Sequence, residues 1–351
     1  MRKKIIGVIA LFSFGFIACQ NHSSTFKDAK TFDLNSFSVT KELKGVSHTF
    51  NDEIMKPIRL QVYDSLLITI NVGENKLLTV YNLNTYTKIG SRINLGDGPL
   101  EMFQPNFIKG DDKNISLYDM GKSTISKYDI SDFVHNADPV PVKQIKLSQN
   151  IFNDVAFDGE GNIIAPVYRD QSLFSIFNQN GEKVGNFGAY PESGLQMTDA
   201  EKREMFQFTY ASNSNGKMAL CYSWNDLIDI YNEEKQLACR IHGPIQFTSS
   251  FREFRDGEVS SAHPEQGKQR DAYYNPVAAD DVFFVLFNGN FVDDENYTNR
   301  SNQIFVFDWN GKPLERLILD NGIISFTVNS QKRKIYGISD MPEYHIVEFE
   351  Y

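Results

Sequence analysis

Apolar and polar positions alternate over short runs along most of this chain, and the runs repeat. LTVYNLNT (78–85), ISKYDISD (125–132), FSIFNQNG (174–181), IDIYNEEK (228–235) and IFVFDWNG (304–311) each reach an aromatic residue and then turn at Asn or Asp. A weaker sixth copy is HIVEFEY (345–351). The aromatic positions are Tyr81, Tyr128, Phe177, Tyr231, Phe307 and Phe349, at intervals of 47, 49, 54, 76 and 42 residues. A second apolar run precedes each copy, as in DSLLITI (64–70), KMALCYS (217–223) and DVFFVLFN (281–288). Period-two alternation over such short stretches, bounded by turn residues, predicts β-strands.

With a further strand before and after these two runs, each unit reads as four short strands, A to D. Six such units predict an all-β fold, a six-bladed β-propeller of four-stranded blades. A two-layer sandwich would also contain many short strands, but not one motif six times over. The joint GDGPLEMFQP (96–105) then carries the chain from outer strand D of unit one to inner strand A of unit two. Gly96 and Gly98 are expected there at positive φ, Pro99 as a fixed step and Glu101 as a structural partner holding the joint. Unit six has only three clear strands before the chain stops. FSVTKELK (37–44) is expected to supply its outer strand, because an open ring would expose strand edges. One helix is expected, TDAEKREMFQ (198–207), where Thr198 and Glu201 form a capping box.

The N-terminus follows other rules. Arg2, Lys3 and Lys4 precede an uncharged, mostly apolar run from Ile5 to Ala18, suited to a signal peptide and too short to span a bilayer. It ends at Phe16-Ile17-Ala18-Cys19, which resembles the lipobox of bacterial lipoproteins. The resemblance implies cleavage before Cys19 and acylation of Cys19, hence a membrane partner through that lipid. Residues 1–18 are then the signal peptide, 19–35 a polar tether and 36–351 the propeller. Gln20 is not acidic, which by analogy with other diderm bacteria suggests the outer membrane.

The signal, the six units and Gly96, Gly98, Pro99 and Glu101, in the pattern G-x-G-P-x-E, resemble the six-bladed TolB-like propeller lipoproteins of Bacteroidetes. Met102 stands between Glu101 and Phe103, where that family has Glu-Phe. The resemblance spans roughly residues 40–351 and implies fold and cell-envelope location; it carries little about activity.

Composition narrows the partners. Of 351 residues, 13% are aromatic, and the net charge of −10 falls to −13 once Arg2, Lys3 and Lys4 are removed. No basic run follows residue 4, so nucleic acid is excluded as a partner. There is no G-x-S-x-G, no H-E-x-x-H and no phosphate loop, and the six histidines never fall at close ligand spacing.

In a propeller the D–A joints and B–C turns share one face. The long irregular segments 189–206, 244–273 and 288–303 all fall on it, and long loops on a rigid face usually carry function. Its B–C turns supply the candidate binding residues Asp119, Arg169, Asp170, Trp224, Asn225, Asp226 and Glu343. Trp224 would be a flat apolar platform and Arg169 a donor fork; the same residue types also cap turns. Two functions follow. One is a lipid-tethered module gripping a protein or glycan, with no cofactor. The other is a metal-dependent, lactonase-like hydrolase or lyase, with Asp119, Asn225 and Asp226 offering ligands to a divalent cation at the axial mouth. Finally, Cys221 and Cys239 fall on strands B and D of unit four. Strand C between them sets those strands about 9.6 Å apart, beyond the reach of a disulfide.

Overall fold

A computed structural model describes residues 24–50, 54–111, 114–151, 153–167, 171–257, 259–279 and 281–351. Cys19, Arg169 and Asp170 lie outside the described residues.

Six antiparallel sheets, each running A-B-C-D from the inside outward, stand around one axis. Blade one comprises Pro57–Tyr63, Leu66–Asn71, Lys76–Asn82 and Thr87–Asn94. The inner strands of the other blades are Pro105–Phe107, Ala156–Phe157, Phe208–Ser212, Tyr273–Ala279 and Ser325–Asn329.

The recurring aromatic residue now has a physical meaning. Tyr81, Tyr128, Phe177, Tyr231, Phe307 and Phe349 are all at most 3% exposed. Each sits in a different hydrophobic layer, and each layer lies between its own blade and the preceding one. The layer of Tyr81 joins blade six to blade one, so the six layers make a closed ring. A blade is thus buried on both faces, which is why its B strands are continuous apolar runs rather than alternating ones. The Asn or Asp that follows the aromatic turns the chain from C to D. Asn82 accepts the N–H groups of Asn84 and Thr85, Asn178 those of Asn180 and Glu182, and Asp308 those of Asn310 and Lys312. In blade two Asp129 instead caps a short helix, Ile130–His135, an element absent from the sequence expectation. The expected helix is Asp199–Met205, with the Thr198–Glu201 capping box formed.

The N-terminal segment closes the ring, but not with the stretch expected. Val46–His48 is the outer strand of blade six, antiparallel to His345–Glu350. Val39–Leu43, within the stretch 37–44, instead adds to blade five as a fifth, parallel strand on Pro313–Ile323. Alternation marks 37–44 as a strand; which outer edge it joins is a long-range matter that alternation does not encode. Gly45 lets the chain pass between the two blades, since a Cβ there would lie 2.4 Å from Val347 Cγ1. Further upstream, Ala29–Thr31 pairs in parallel with strand D of blade four, Leu237–His242. Phe26 and Phe32 are buried, so residues 24–35 are packed on the propeller rather than forming part of a free tether.

Strand C of blade four, Leu227–Tyr231, does separate Cys221 from Cys239. Both thiols are free and buried in the layer between blades four and five. Among the described residues, no helix is long and apolar enough to cross a membrane.

Candidate functional site

On the face formed by the D–A joints and B–C turns, two of the acids singled out from the sequence, Asp119 and Asp226, turn inward. Asp119 ends strand B of blade two and is 1% exposed. Its carboxylate accepts the N–H groups of Phe103, Gln104 and Gly121, at 3.1, 3.0 and 3.0 Å. Asp226 is fully buried on the B–C turn of blade four. It accepts from Ile245, Gln246 and Phe247 at 2.7, 2.6 and 2.9 Å, and His242 Nε2 lies 3.2 Å from its Oδ1. Asn225, also fully buried, donates to the carbonyl of Met205 and accepts from the N–H of Ser249. Each of the three satisfies peptide groups of a joint that strands and helices leave unpaired.

These residues therefore do not fit the divalent cation of the hydrolase reading. Asp119 and Asp226 stand on non-adjacent blades, and their oxygens already face backbone N–H groups. Among the described residues no group of three or more His, Cys, Asp or Glu is arranged to hold a metal ion. Trp224 is half-buried on the turn beside Asn225, and Glu343 is exposed, its carbonyl 2.7 Å from His345 Nδ1.

The Gly96–Glu101 joint is built differently from the expectation. Gly96 is at positive φ, 158°, as expected, but Gly98 is not. The glycines are needed because the Glu101 carboxylate lies on them. Its Oε2 accepts from Gly98 N at 2.8 Å and would be 2.2 Å from a Cβ on Gly96. Lys122, from the B–C turn of blade two, pins the same bend by donating to the carbonyls of Gly98 and Glu101, both at 2.8 Å.

This face also offers large apolar side chains to solvent. Of nineteen exposed large apolar side chains among the described residues, eleven lie at this face: ten in its joints and B–C turns, and Ile58 at the adjoining end of the inner strand of blade one. Met55, Ile58, Val72, Leu95, Leu100, Phe103 and Met341 stand on blades six, one and two and their joints; Leu195, Ile245, Phe254 and Phe291 stand on the opposite half. Sequence reasoning passed over them, although LGDGPLEMF carries a signal. Turns are ordinarily polar, and Leu95, Leu100 and Phe103 sit in one. Cations support the aromatic members: Lys122 lies over Phe103, and Arg270 lies between Phe247 and Phe291. Asp271 is buried beside Arg270 and accepts from Tyr297 Oη at 3.1 Å; burial pushes its carboxyl up to about 6.

The axial cavities lie elsewhere. Inner strands of the six blades enclose a polar space of about 90 Å³ lined by Arg59, Asn106, Lys109, Asp154 and Ser325, among others, with Lys109 3.4 Å from Asp154. A funnel of about 620 Å³ opens on the opposite face, among the A–B turns, lined chiefly by amides and hydroxyls such as Gln61, Asn213, Asn329 and Gln331. The face with the compact turns thus carries the wide mouth, whereas the sequence pointed to an axial mouth on the loop face.

No curated protein matches the chain. Among solved structures, a "putative exported protein" of Bacteroides fragilis NCTC 9343 superposes with a TM-score of 0.52 at 11% identity, covering 92% of this chain and 98% of that one. Raptor of Chaetomium thermophilum superposes with a TM-score of 0.50 at 12% identity, covering 88% of this chain and 29% of that one. At such identities the likeness is one of fold. The family described as TolB-like 6-blade propeller-like matches residues 34–331, which take in blades one to five and the inner strand of blade six, and the chain belongs to that family.

Proposed function

We propose that this propeller is a lipid-anchored binding module of the cell envelope, and that it grips a protein partner through its loop face. The carrying observation is the concentration of exposed apolar side chains there, eleven of nineteen. Large apolar groups gathered on one face of a soluble fold mark interaction surfaces. The group on blades six, one and two contains Leu, Ile, Met, Val and Phe rather than flat, paired aromatic platforms, which favours a protein over a glycan. Anchoring rests on the Ala18-Cys19 sequence after the apolar run, and the exported neighbour agrees with an envelope location. The hydrolase reading loses support because its ligand candidates are occupied by the backbone.

The test is capture from envelope extract with the mature protein, in parallel with the double variant L100D/F103D. One protein species retained by the first and lost with the second supports the reading. Equal recovery with both overturns the assignment to this face.

A further inference from the structure

The point at which the chain meets the propeller fixes how an anchored propeller can stand on its membrane. Ser24 Oγ is 2.8 Å from His242 Nδ1, at the end of strand D of blade four. Phe26, 2% exposed, packs edge-on against His242 and Phe206 and bridges to Ser193. Lys27 donates its N–H to the Glu192 carbonyl, and Arg240 donates to the Lys27 carbonyl. The chain is therefore held from residue 24 onward at the loop-face edge of blade four. Five Cα steps separate Cys19 from Ser24, a reach of at most about 18 Å. With acyl chains on Cys19, that edge cannot stand further than this from the bilayer surface.

What the edge carries suits that position. Leu195 lies two residues beyond Ser193, and Ile245 three beyond His242; they are 44% and 46% exposed. The hairpin formed by Phe251–Asp256 and Val259–Pro264 packs against the helix Asp199–Met205. On one side it presents Phe254, 57% exposed, edge-on to His263, with Arg252 two residues away, its side chain 80% exposed and paired at the surface with Glu265 at 2.9 Å. An exposed ring beside a cation is how peripheral elements enter a headgroup layer.

Resting on the anchoring at Cys19 proposed above, we infer that the blade-four edge lies on the phospholipid surface. Phe254 enters the headgroup layer with Leu195 and Ile245 beside it, and the exposed Arg252 exchanges Glu265 for the phosphates. Blade one is opposite blade four in a six-bladed ring, so Leu100, Phe103 and Met341 are held away from the bilayer, open to a partner.

The test uses the full-length, lipidated protein in liposomes, with nitroxide labels on L195C, I245C and F254C and, for comparison, on L100C and M341C. Cys221 and Cys239 are buried, and the unsubstituted protein serves as the labelling blank. The expected result is an oxygen-to-nickel accessibility ratio several-fold higher at 195, 245 and 254 than at 100 and 341. Equal ratios in a liposome-bound sample whose Cys19 is acylated by mass spectrometry overturn the orientation and leave the anchor standing. A sample with unmodified Cys19 that does not bind liposomes overturns the anchor, and the orientation with it.

Discussion

Glu101 closes back on Gly98. Its carboxylate Oε2 receives the Gly98 N–H at 2.8 Å, while Gly96 leaves room for the same oxygen. A methyl group on Gly96 would sit 2.2 Å from that oxygen, at the free end of a flexible side chain. The side chain can swing away at the cost of its hydrogen bond. Gly96→Ala should therefore destabilise by about 2 kcal/mol, the range for a bond to a charged acceptor. In a Glu101→Ala background the same change should cost less, because the obstacle is gone and only the strain of an alanine at the positive φ of Gly96 remains. Urea unfolding of the four proteins of this cycle measures the coupling; additive costs would show that Gly96 is required for another reason.

Asp226 should be among the costliest single positions on the loop face. Its buried carboxylate holds the N–H groups of Ile245, Gln246 and Phe247. Asp226→Ala leaves three donors without their acceptor and should destabilise by about 3–5 kcal/mol. Glu343→Ala, an exposed carboxylate, should change stability by less than about 0.5 kcal/mol. Denaturant midpoints for the two variants decide it, and comparable losses would contradict the separation of structural from exposed acids made here.

These two cases show what the sequence disclosed. The aromatic-Asn/Asp motif was legible because both of its jobs are local: the ring follows strand alternation and the amide or carboxylate caps its own turn. The role of Asp119 and Asp226 was not. An acid on a B–C turn can be read from the chain, but the peptide N–H groups it serves belong to a joint, 19 to 21 residues away in the case of Ile245–Phe247. Val39–Leu43 is the same lesson for strands, since its pairing with Pro313–Ile323 bridges opposite ends of the chain. Asp229, in the otherwise apolar run LIDIY, was a legible oddity: it is fully buried, held by Arg240 through both oxygens and by Tyr222.

Closure of the ring can be tested at its narrowest point. A side chain at Gly45 would meet Val347 Cγ1 at 2.4 Å and Phe349 Cε1 at 2.8 Å, both in the layer between blades five and six. Gly45→Val should displace Val46–His48 from blade six and expose the edge of His345–Glu350. Expected outcomes are earlier thermal unfolding and aggregation visible by light scattering. A deletion of residues 24–43 should be milder than one of 24–48, because only the longer deletion opens the ring; equal behaviour would deny Val46–His48 its closing role.

The thiols of Cys221 and Cys239 are fully and largely buried, and burial pushes both up, so neither presents a thiolate near neutrality. Ellman's reagent should find no fast-reacting thiol in the native protein and two once it is denatured without reductant. A count of none after denaturation would mean that the two cysteines meet, and that strand C does not lie between them.

Stability should carry a pH signature from Asp271. Burial raises its carboxyl to about 6, against the partial opposition of the Tyr297 hydroxyl, and Arg270 beside it is turned toward Phe247 and Phe291. A carboxyl raised in the folded state binds its proton more tightly there than in the unfolded chain. The resulting stabilisation is complete below the ordinary carboxylate range and is lost as pH rises through about 6. Over that window Asp271 should withdraw about 3 kcal/mol. Asp271→Asn keeps an acceptor for Tyr297 and cannot ionise, so the variant should gain on the parent protein as pH rises from 4 to 7, all other carboxylates being common to both. Chemical unfolding of the pair at several pH values reads the difference directly. A difference that stays constant with pH would place the titration of Asp271 in its ordinary range and its carboxyl in contact with water.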